Sequence, residues 1–124
     1  MLTDTLRTLI ERAERNGQAV KRVREGAVIG NGFYGDPKQT PLIDQWRVTV
    51  VNHDKKMGDW QVMHVDHYGT EIACIKIEQG KAELVNYYGQ SYSDRNALNG
   101  LCGYYGLPHR FRYLPSKHEF KLIS

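Results

Sequence analysis

The feature that most constrains this fold is the stretch over residues 90–108, QSYSDRNALNGLCGYYGLP, because it carries the start, face and stop signals of one helix. Ser93 is the predicted N-cap, since its side-chain oxygen can accept a hydrogen bond from a free amide of the first turn. Asp94 then places negative charge at the positive end of the helix dipole. Ser91 together with Asp94 is a competing capping box that starts the helix earlier. Both alternatives predict a helix in this stretch, near residues 93–105.

The body and the end of this helix are marked as clearly as its start. Gly106 suits the left-handed position that follows a helix, and Pro108 cannot continue one. Five side chains form a single apolar stripe at helical spacing, namely Ala97, Leu98, Leu101, Cys102 and Tyr105. The segment carries no catalytic signature. It predicts a helix whose stripe packs on a core.

Composition places the chain among ordinary globular domains. Its 124 residues suit one domain with one core. The 40% of hydrophobic and 25% of charged residues disfavour the disordered, collagen-like and membrane classes. No apolar run approaches the roughly 18 residues that a spanning helix requires, and the first residues lack the pattern of a signal peptide. We therefore expect a cytoplasmic protein that does not bind a membrane.

The remaining segments predict a helix, a strand meander and a hairpin. A helix over residues 4–15 starts at Thr3 as its N-cap and stops at Asn16 and Gly17. Alternating patterns predict strands over residues 45–53, 60–67, 71–77 and 81–88, with a polar turn over residues 53–59, and a last hairpin over residues 110–114 and 119–123. Strands bracketed by helices predict an α+β fold, a single domain with a mostly antiparallel sheet and the helices on one face.

The segment between the first helix and the meander is less regular. Residues 19–29 predict short strand segments with a turn or bulge at residues 25–26, and residues 30–44 predict a loop. Residues 30–35 match the GxGxxG spacing of dinucleotide-binding proteins, but Pro37 follows where that fingerprint needs a helix. We interpret these glycines as turn residues and predict no cofactor.

The two cysteines give no support for a disulfide framework or a zinc site. Cys74 lies in a predicted strand, and Cys102 lies on the apolar stripe of the helix. Cysteine is often simply a small core residue, so both are predicted to be buried free thiols. The chain has no CxxC pair, the spacing typical of structural zinc sites, and we predict no metal.

The cluster best suited to catalysis or metal binding consists of His64, Asp66 and His67. Two imidazoles and a carboxylate can bind a metal or transfer protons. Alternation along a strand places His64 and Asp66 on one face and His67 on the other. The three side chains meet only if a bulge at residues 68–69 redirects them. His64 and Asp66 alone form a candidate base and orienting acid, completed by His109 or His118.

Positive charge is concentrated at both ends of the chain. Residues 1–24 hold six Lys or Arg against three acids, and residues 106–124 hold four against one, within a net charge of +3. If the first helix and the last hairpin meet in space, they form a positive face suited to phosphate or to an acidic protein surface. If they do not meet, this is scattered solubilising charge.

Tyrosine and arginine are the residue types that favour binding. Six of the eight tyrosines lie within residues 87–113, near three arginines. Tyr and Arg are enriched in interface hot spots, and aromatic rings beside basic groups also suit stacked nucleic-acid bases. Tyr88 and Tyr105 are predicted to be core residues. The predicted binding residues are Tyr92, Arg95, Tyr104, Arg110 and Arg112.

Arg95 has an unfavourable place in the first turn, where the helix dipole disfavours a cation. A structural partner such as Asp66 or Glu83 would explain it. The alternative is an exposed contact to a carboxylate or a phosphate.

Three pieces of the sequence resemble a module of small accessory proteins from bacteriophages and mobile elements. They are HYGT at residues 67–70, Tyr-Gly at residues 88–89 and SYSDRNALNGLCGYYG at residues 91–106. In that module a His-Tyr-Gly-Thr strand is followed by a hairpin and a Ser-Asp-Arg helix start. The resemblance implies a small accessory protein, of the kind that blocks a host defence complex as anti-CRISPR proteins do. Many of those are acidic DNA mimics, so a basic chain implies direct protein contact or a nucleic-acid groove.

We therefore expect a non-enzymatic phage-type accessory protein that binds a macromolecule in the host cytoplasm. The most specific version of this hypothesis is an inhibitor of a host defence protein or nucleoprotein. Direct DNA or RNA binding through the basic ends and the Tyr/Arg surface is the first alternative. A small metal-dependent nuclease using His64, Asp66 and His67 is the second. A homodimer through an unpaired sheet edge is a further expectation.

Overall fold

The computed structural model describes residues 2–24, 41–55 and 58–123. In these ranges the chain forms two helices, α1 (Asp4–Asn16) and α2 (Tyr92–Tyr104). It also forms seven strands, β1 (Gln18–Arg24), β2 (Leu42–Lys55), β3 (Gly58–His67), β4 (Thr70–Glu78), β5 (Lys81–Tyr87), β6 (Phe111–Leu114) and β7 (Glu119–Leu122). The predicted α+β class is confirmed.

The sheet is an antiparallel meander in which each strand pairs with its neighbour in sequence, in the order β1-β2-β3-β4-β5. Strands β6 and β7 form a separate hairpin. The turns after β3 and β4 each have two residues, Tyr68-Gly69 and Gln79-Gly80, and all four have positive φ. That backbone geometry matches the twist of the flanking strands and makes a tight hairpin favourable. The meander therefore has short connections at β3–β4 and β4–β5.

The strand boundaries differ from the sequence prediction at β2. This strand begins at Leu42, inside the predicted loop, and pairs with β3 as far as Lys55 opposite Gly58, inside the predicted turn. The predicted turn at residues 25–26 and the GxGxxG match at residues 30–35 lie outside the described residues.

Helix α1 follows the sequence prediction closely. The Thr3 side chain accepts a hydrogen bond from the Leu6 amide, and Gly17 closes the helix with φ 88°. The buried side chains are those spaced for one face, namely Leu6, Leu9, Ile10 and Ala13.

Helix α2 starts at the earlier of the two predicted caps. Ser91 is the N-cap, and its Oγ accepts a 3.1 Å hydrogen bond from the Asp94 amide, so the prediction of Ser93 as the cap is wrong. The helix ends as predicted before Gly106, whose φ is 69°, and the Leu107 amide donates to the Cys102 carbonyl at 2.8 Å. A helix that starts at Tyr92 places Asp94 in its first turn, where the carboxylate can reach back along the chain.

The core lies between one face of the sheet and the two helices. Val48, Val65 and Ile75 project from β2, β3 and β4 toward the helices, and Leu98 and Leu101 of α2 pack in the same cluster. Complete burial of one such side chain contributes about 1.5–3 kcal/mol. Among the described residues, both helices lie on this face, which we call the covered face. The other side of the five-stranded sheet is called the open face.

The hairpin β6–β7 is attached to α2 by a specific backbone contact. The Asn99 side chain donates to the Phe111 carbonyl at 3.1 Å and accepts from the Phe111 amide at 2.8 Å. Gly89 permits close packing of the second strand, because a Cβ atom there would lie 2.3 Å from the Phe120 ring. These contacts place the hairpin beside the first turns of α2.

Candidate functional site

Three of the five predicted binding residues come together where α2 begins beside the hairpin. The Arg95 guanidinium carbon lies 5.0 Å from the centre of the Tyr92 ring, a cation–π contact. The Tyr92 ring also meets Tyr113 of β6 edge to face, with centroids 5.1 Å apart. Arg112 precedes Tyr113 on the same strand and is exposed. Strand β6 therefore adds a second arginine, Arg112, to the surface around the first turn of α2.

Arg95 and Arg112 line the same concave surface, which we call the arginine groove. Its volume is about 430 Å³, and its lining consists of Thr3, Arg95, Asn96, Asn99, Phe111, Arg112 and Ile123. No carboxylate is among these residues. The N-cap of α1 and the C-terminal hairpin therefore meet at this groove, but its two positive charges come from α2 and β6, and no Lys or Arg of residues 1–24 is in its lining.

The other two predicted binding residues lie elsewhere. Tyr104 is twelve residues after Tyr92, about 18 Å farther along the axis of α2. Its ring is exposed and contacts Tyr105 edge to face at 5.0 Å. The Arg110 guanidinium donates to the backbone carbonyls of Leu107 at 3.3 Å and His109 at 2.7 Å. The structure therefore places neither residue in the lining of the groove.

The predicted structural partner of Arg95 is wrong. Its guanidinium donates to the Asn96 side-chain oxygen at 2.8 and 3.2 Å, and Asp66 lies instead on β3, opposite Arg47 and Glu71. Glu83 lies on β5 opposite Lys76. In the described ranges Arg95 has Asn96 and the Tyr92 ring as its contacts and forms no ion pair.

Tyr88 and Tyr105 were both predicted to be core residues, and only one is. Tyr88 is 49% exposed. Tyr105 is packed against the core, and its hydroxyl donates to the Met63 sulfur at 3.3 Å. Burial, with Glu14 and Tyr104 nearby, raises the pKa of the Tyr105 phenol above its ordinary value. Tyr105 is therefore structural, and Tyr88 belongs to the surface.

His67 and Asp94 form the most enclosed polar contact of the covered face. His67 Nδ1 lies 2.7 Å from Asp94 Oδ1, and the imidazole stacks on Trp46 with ring centroids 3.9 Å apart. Asp94 Oδ2 accepts from the Gln90 amide at 3.0 Å. Burial disfavours the ionised carboxylate, but the hydrogen bonds from His67 and Gln90 outweigh it, so the pKa of Asp94 lies below its ordinary value. This pair joins the end of β3 to the start of α2.

The same contact gives the HYGT and Ser-Asp-Arg pieces a structural meaning. His67 is the first residue of HYGT, and Asp94 is the aspartate of Ser-Asp-Arg. Tyr68 and Gly69 turn the chain with φ of 51° and 82°, which brings Thr70 back opposite His67. The two motifs therefore meet in one tertiary contact.

The predicted cluster of His64, Asp66 and His67 does not converge. Strand alternation holds, so His64 and Asp66 lie on the open face and His67 lies on the covered face. Residues 68–69 form a tight turn, and the bulge is in β4 at Ile72, between the pairs Val65↔Ala73 and Asp66↔Glu71. The metal-dependent nuclease alternative thus loses its third side chain.

A different set of side chains meets on the open face. His64 Nδ1 makes a short hydrogen bond with Glu71 Oε1, and the donor atoms of His64, Glu71 and Cys74 all lie within 4.8 Å of one another. Burial and the Glu71 carboxylate raise the pKa of Asp66, which sits opposite Glu71. Sequence reasoning missed this set, because Glu71 and Cys74 are three residues apart and alternate strand positions would separate them.

The cysteines are correctly predicted to be free, but only one is buried. Cys102 lies in the core, whereas Cys74 is half-buried on the open face. Burial raises the pKa of both thiols, and the Glu71 carboxylate adds to the effect at Cys74.

Comparison of the chain with protein-family models, with curated proteins and with solved structures found no match. Neither α1 nor α2 is long and apolar enough to cross a membrane.

Proposed function

We propose that this chain is a non-enzymatic accessory protein that binds a partner protein through the arginine groove. The observation that carries the proposal is that Arg95 and Arg112 line one groove whose lining contains no carboxylate. Two guanidinium groups without an acidic neighbour in the lining favour a carboxylate or phosphate supplied from outside. The partner therefore presents an acidic group at this site.

The mixed lining favours a protein over a nucleic acid as the partner. Phe111 and Ile123 add apolar surface beside the two arginines, and Arg95 also contacts the Tyr92 ring, which in turn meets Tyr113. Apolar, tyrosine and arginine side chains together are typical of protein interfaces.

In the part of the chain that the structure describes, the cations and rings beside the groove offer little of the path that a nucleic acid would follow. Binding to a phosphate backbone draws on many cations along one path. Lys121 lies opposite Arg112 in the hairpin, but its Nζ is 2.9 Å from a Glu119 oxygen. One face of the Tyr92 ring is taken by Arg95, which reduces the ring area left for a stacked base. Direct DNA or RNA binding is therefore the second candidate, and the experiment below distinguishes it.

The nature of the partner follows from the resemblance of the HYGT and Ser-Asp-Arg pieces to phage accessory proteins. On that basis the partner is a host protein or nucleoprotein of a defence complex, and binding inhibits it. The cellular place of action is then the cytoplasm of the host.

The test is affinity capture from a bacterial lysate, with and without nuclease treatment, at two salt concentrations. The wild-type chain is compared with the Arg95→Ala/Arg112→Ala double variant and with a control, Arg12→Ala/Arg15→Ala. The control removes two exposed arginines from the other end of α1, so the change in net charge is the same. We expect one protein to be retained by the wild type and the control and lost by the groove variant, with coincident unfolding curves for all three chains.

Two results would overturn the proposal. Equal retention by the groove variant would show that the groove is not the contact. Capture that disappears with nuclease and falls steeply with salt would favour nucleic-acid binding, because phosphate contacts release counterions. Titration of the purified chain with a single-stranded and a double-stranded oligonucleotide at the same two salt concentrations makes this outcome quantitative.

A further inference from the structure

The open face carries three metal-ligand types at one place, outside the arginine groove. His64 projects from β3, and Cys74 is its direct cross-strand partner on β4. Glu71 lies two pairs farther along, opposite Asp66 and on the same face, and its carboxylate makes a short contact with the His64 imidazole. The three side chains thus offer one nitrogen, one sulfur and one oxygen donor on the same face of the sheet.

A β-bulge brings Glu71 into this group. Residues three apart in a regular strand point to opposite faces, so Glu71 and Cys74 would be separated without an irregularity. Ile72 is the extra residue of β4 between the pairs Asp66↔Glu71 and Val65↔Ala73, and both Ile72 and Ala73 are buried. The bulge therefore turns two consecutive side chains into the core and returns Glu71 to the open face beside Cys74. Bulges often re-aim a side chain in this way next to functional sites.

The spacing of the donor atoms suits a small tetrahedral ion after a modest adjustment. Ligand atoms around Zn²⁺ lie about 3.3–3.8 Å apart when the bonds to N, O and S have their usual lengths. The three donor atoms here are already within 4.8 Å of one another. Rotation of the side chains must bring the sulfur closer and open the short His64–Glu71 contact, and the 35% and 40% exposure of the His64 and Glu71 side chains leaves room for it.

Charge at this place also favours a cation. Asp66 lies opposite Glu71, so two carboxylates share the end of the cluster. The cation opposite Asp66 on β2 is Arg47, and its guanidinium is already bonded to the Asp44 carboxylate. A divalent ion would balance the negative charge of the cluster more fully than Arg47 does.

We propose that His64, Glu71 and Cys74 bind a transition-metal ion of the zinc type. A thiolate with an imidazole and a carboxylate selects zinc or cobalt over magnesium and calcium, which prefer oxygen ligands only. The three protein ligands leave a fourth position for water or for a group from a partner. Binding releases the thiol proton of Cys74, because the ligand is the thiolate.

The experiment titrates the reduced, EDTA-stripped full chain with Zn²⁺ by calorimetry and with Co²⁺ by absorption spectroscopy. We expect one ion per chain, proton release on binding, and the visible bands of tetrahedral cobalt with a sulfur-to-cobalt charge-transfer band. Cys74→Ser should abolish the charge-transfer band. Removal of a residue that only hydrogen-bonds to a metal ligand already lowers metal affinity about tenfold. Zinc binding should therefore weaken at least about tenfold in each of the ligand variants, Cys74→Ser, His64→Gln and Glu71→Gln.

Matched controls keep the outcome decisive. Cys102→Ala removes the core thiol, and His118→Gln and Glu83→Gln remove an imidazole and a carboxylate outside the cluster. All three should bind zinc as the wild type does, and circular dichroism should confirm the fold of every variant. Absence of saturable binding by the wild type would overturn the proposal, and so would unchanged affinity in Cys74→Ser and His64→Gln.

Discussion

Two histidine–carboxylate pairs, whose histidines are three residues apart in β3, lie on opposite faces of the same sheet. On the covered face the side chains of His67 and Asp94 are 10% and 6% exposed. On the open face the side chains of His64 and Glu71 are 35% and 40% exposed. The chemical groups are the same, so the difference between the pairs comes from what surrounds them.

The surroundings of the two histidine–carboxylate pairs give them different roles. The covered pair has the Trp46 ring on one side and the Gln90 amide on the other, and it connects two elements 27 residues apart in sequence. Removal of either partner leaves a buried polar group without a hydrogen bond, which costs about 1–3 kcal/mol. The open pair can exchange its partner for water, and exposed ion pairs contribute about 0–1 kcal/mol. We expect the covered pair to stabilise the fold and the open pair to be available for a ligand.

The largest expected effect comes from breaking the covered pair. Asp94→Ala leaves the His67 ring and the Gln90 amide unpartnered, so it should lower the free energy of unfolding by about 2–4 kcal/mol. Glu71→Ala makes the same chemical change on the open face and should cost less than about 1 kcal/mol. Urea unfolding followed by circular dichroism measures both. Similar losses in the two variants would remove the distinction between the faces.

A second test extends the comparison from the sheet to the hairpin. Asn99→Ala removes both hydrogen bonds to the Phe111 backbone and should cost about 1–3 kcal/mol in unfolding free energy. Asn96→Ala, one turn earlier and exposed, removes only the contact to Arg95 and should stay within about 0.5 kcal/mol. If Asn96→Ala proved the more damaging variant, the hairpin would not depend on Asn99.

Acid should weaken the covered pair in a defined direction. The pKa of Asp94 is lower in the folded protein than its ordinary value of 3.8, so its ionised form is favoured by folding. The stability that it adds is fully present above about pH 4 and is lost as the pH falls through the folded pKa. Unfolding free energies between pH 5 and pH 2 should therefore fall more steeply for the wild type than for Asp94→Asn. Parallel pH profiles for the wild type and Asp94→Asn would contradict the lowered pKa of Asp94 in the folded protein.

The smallest effect on the fold should come from modifying the thiols of the two faces. Cys74 on the open face should react with a thiol reagent in the folded protein, slowly because its pKa is raised. Cys102 should react only on unfolding, because it is fully buried in the core. Mass spectrometry after timed labelling assigns the two rates. Faster labelling of Cys102 than of Cys74 would contradict the placement of Cys102 in the core and of Cys74 on the open face.

The elements of this fold could be predicted from sequence because their signals are local. Helical spacing and caps fixed both ends of α1, and alternation placed Trp46 and Val48 on one side of β2. The N-cap of α2 was misassigned because two serines near Asp94 can each cap a helix, and only the tertiary contact to His67 decides between them.

The candidate sites depended on contacts between distant segments and were harder to predict. Tyr92 could be identified from its place off the apolar stripe, and Arg95 from its unfavourable place in the first turn of the helix. Their meeting with Arg112 and Tyr113 required the docking of the hairpin. The open-face cluster required the bulge at Ile72. Its one local signal is the pair of adjacent apolar residues, Ile72 and Ala73, which interrupts the alternation of β4.

The central claim is that position in the sheet, and not residue type, gives the two histidine–carboxylate pairs their different roles. The most direct measurement is a pair of double-mutant cycles on unfolding free energy in EDTA, with His67→Ala and Asp94→Ala in one cycle and His64→Ala and Glu71→Ala in the other. We predict a coupling energy of about 1.5–3 kcal/mol for the covered pair and below about 1 kcal/mol for the open pair. Equal coupling in the two cycles, or stronger coupling on the open face, would contradict the account.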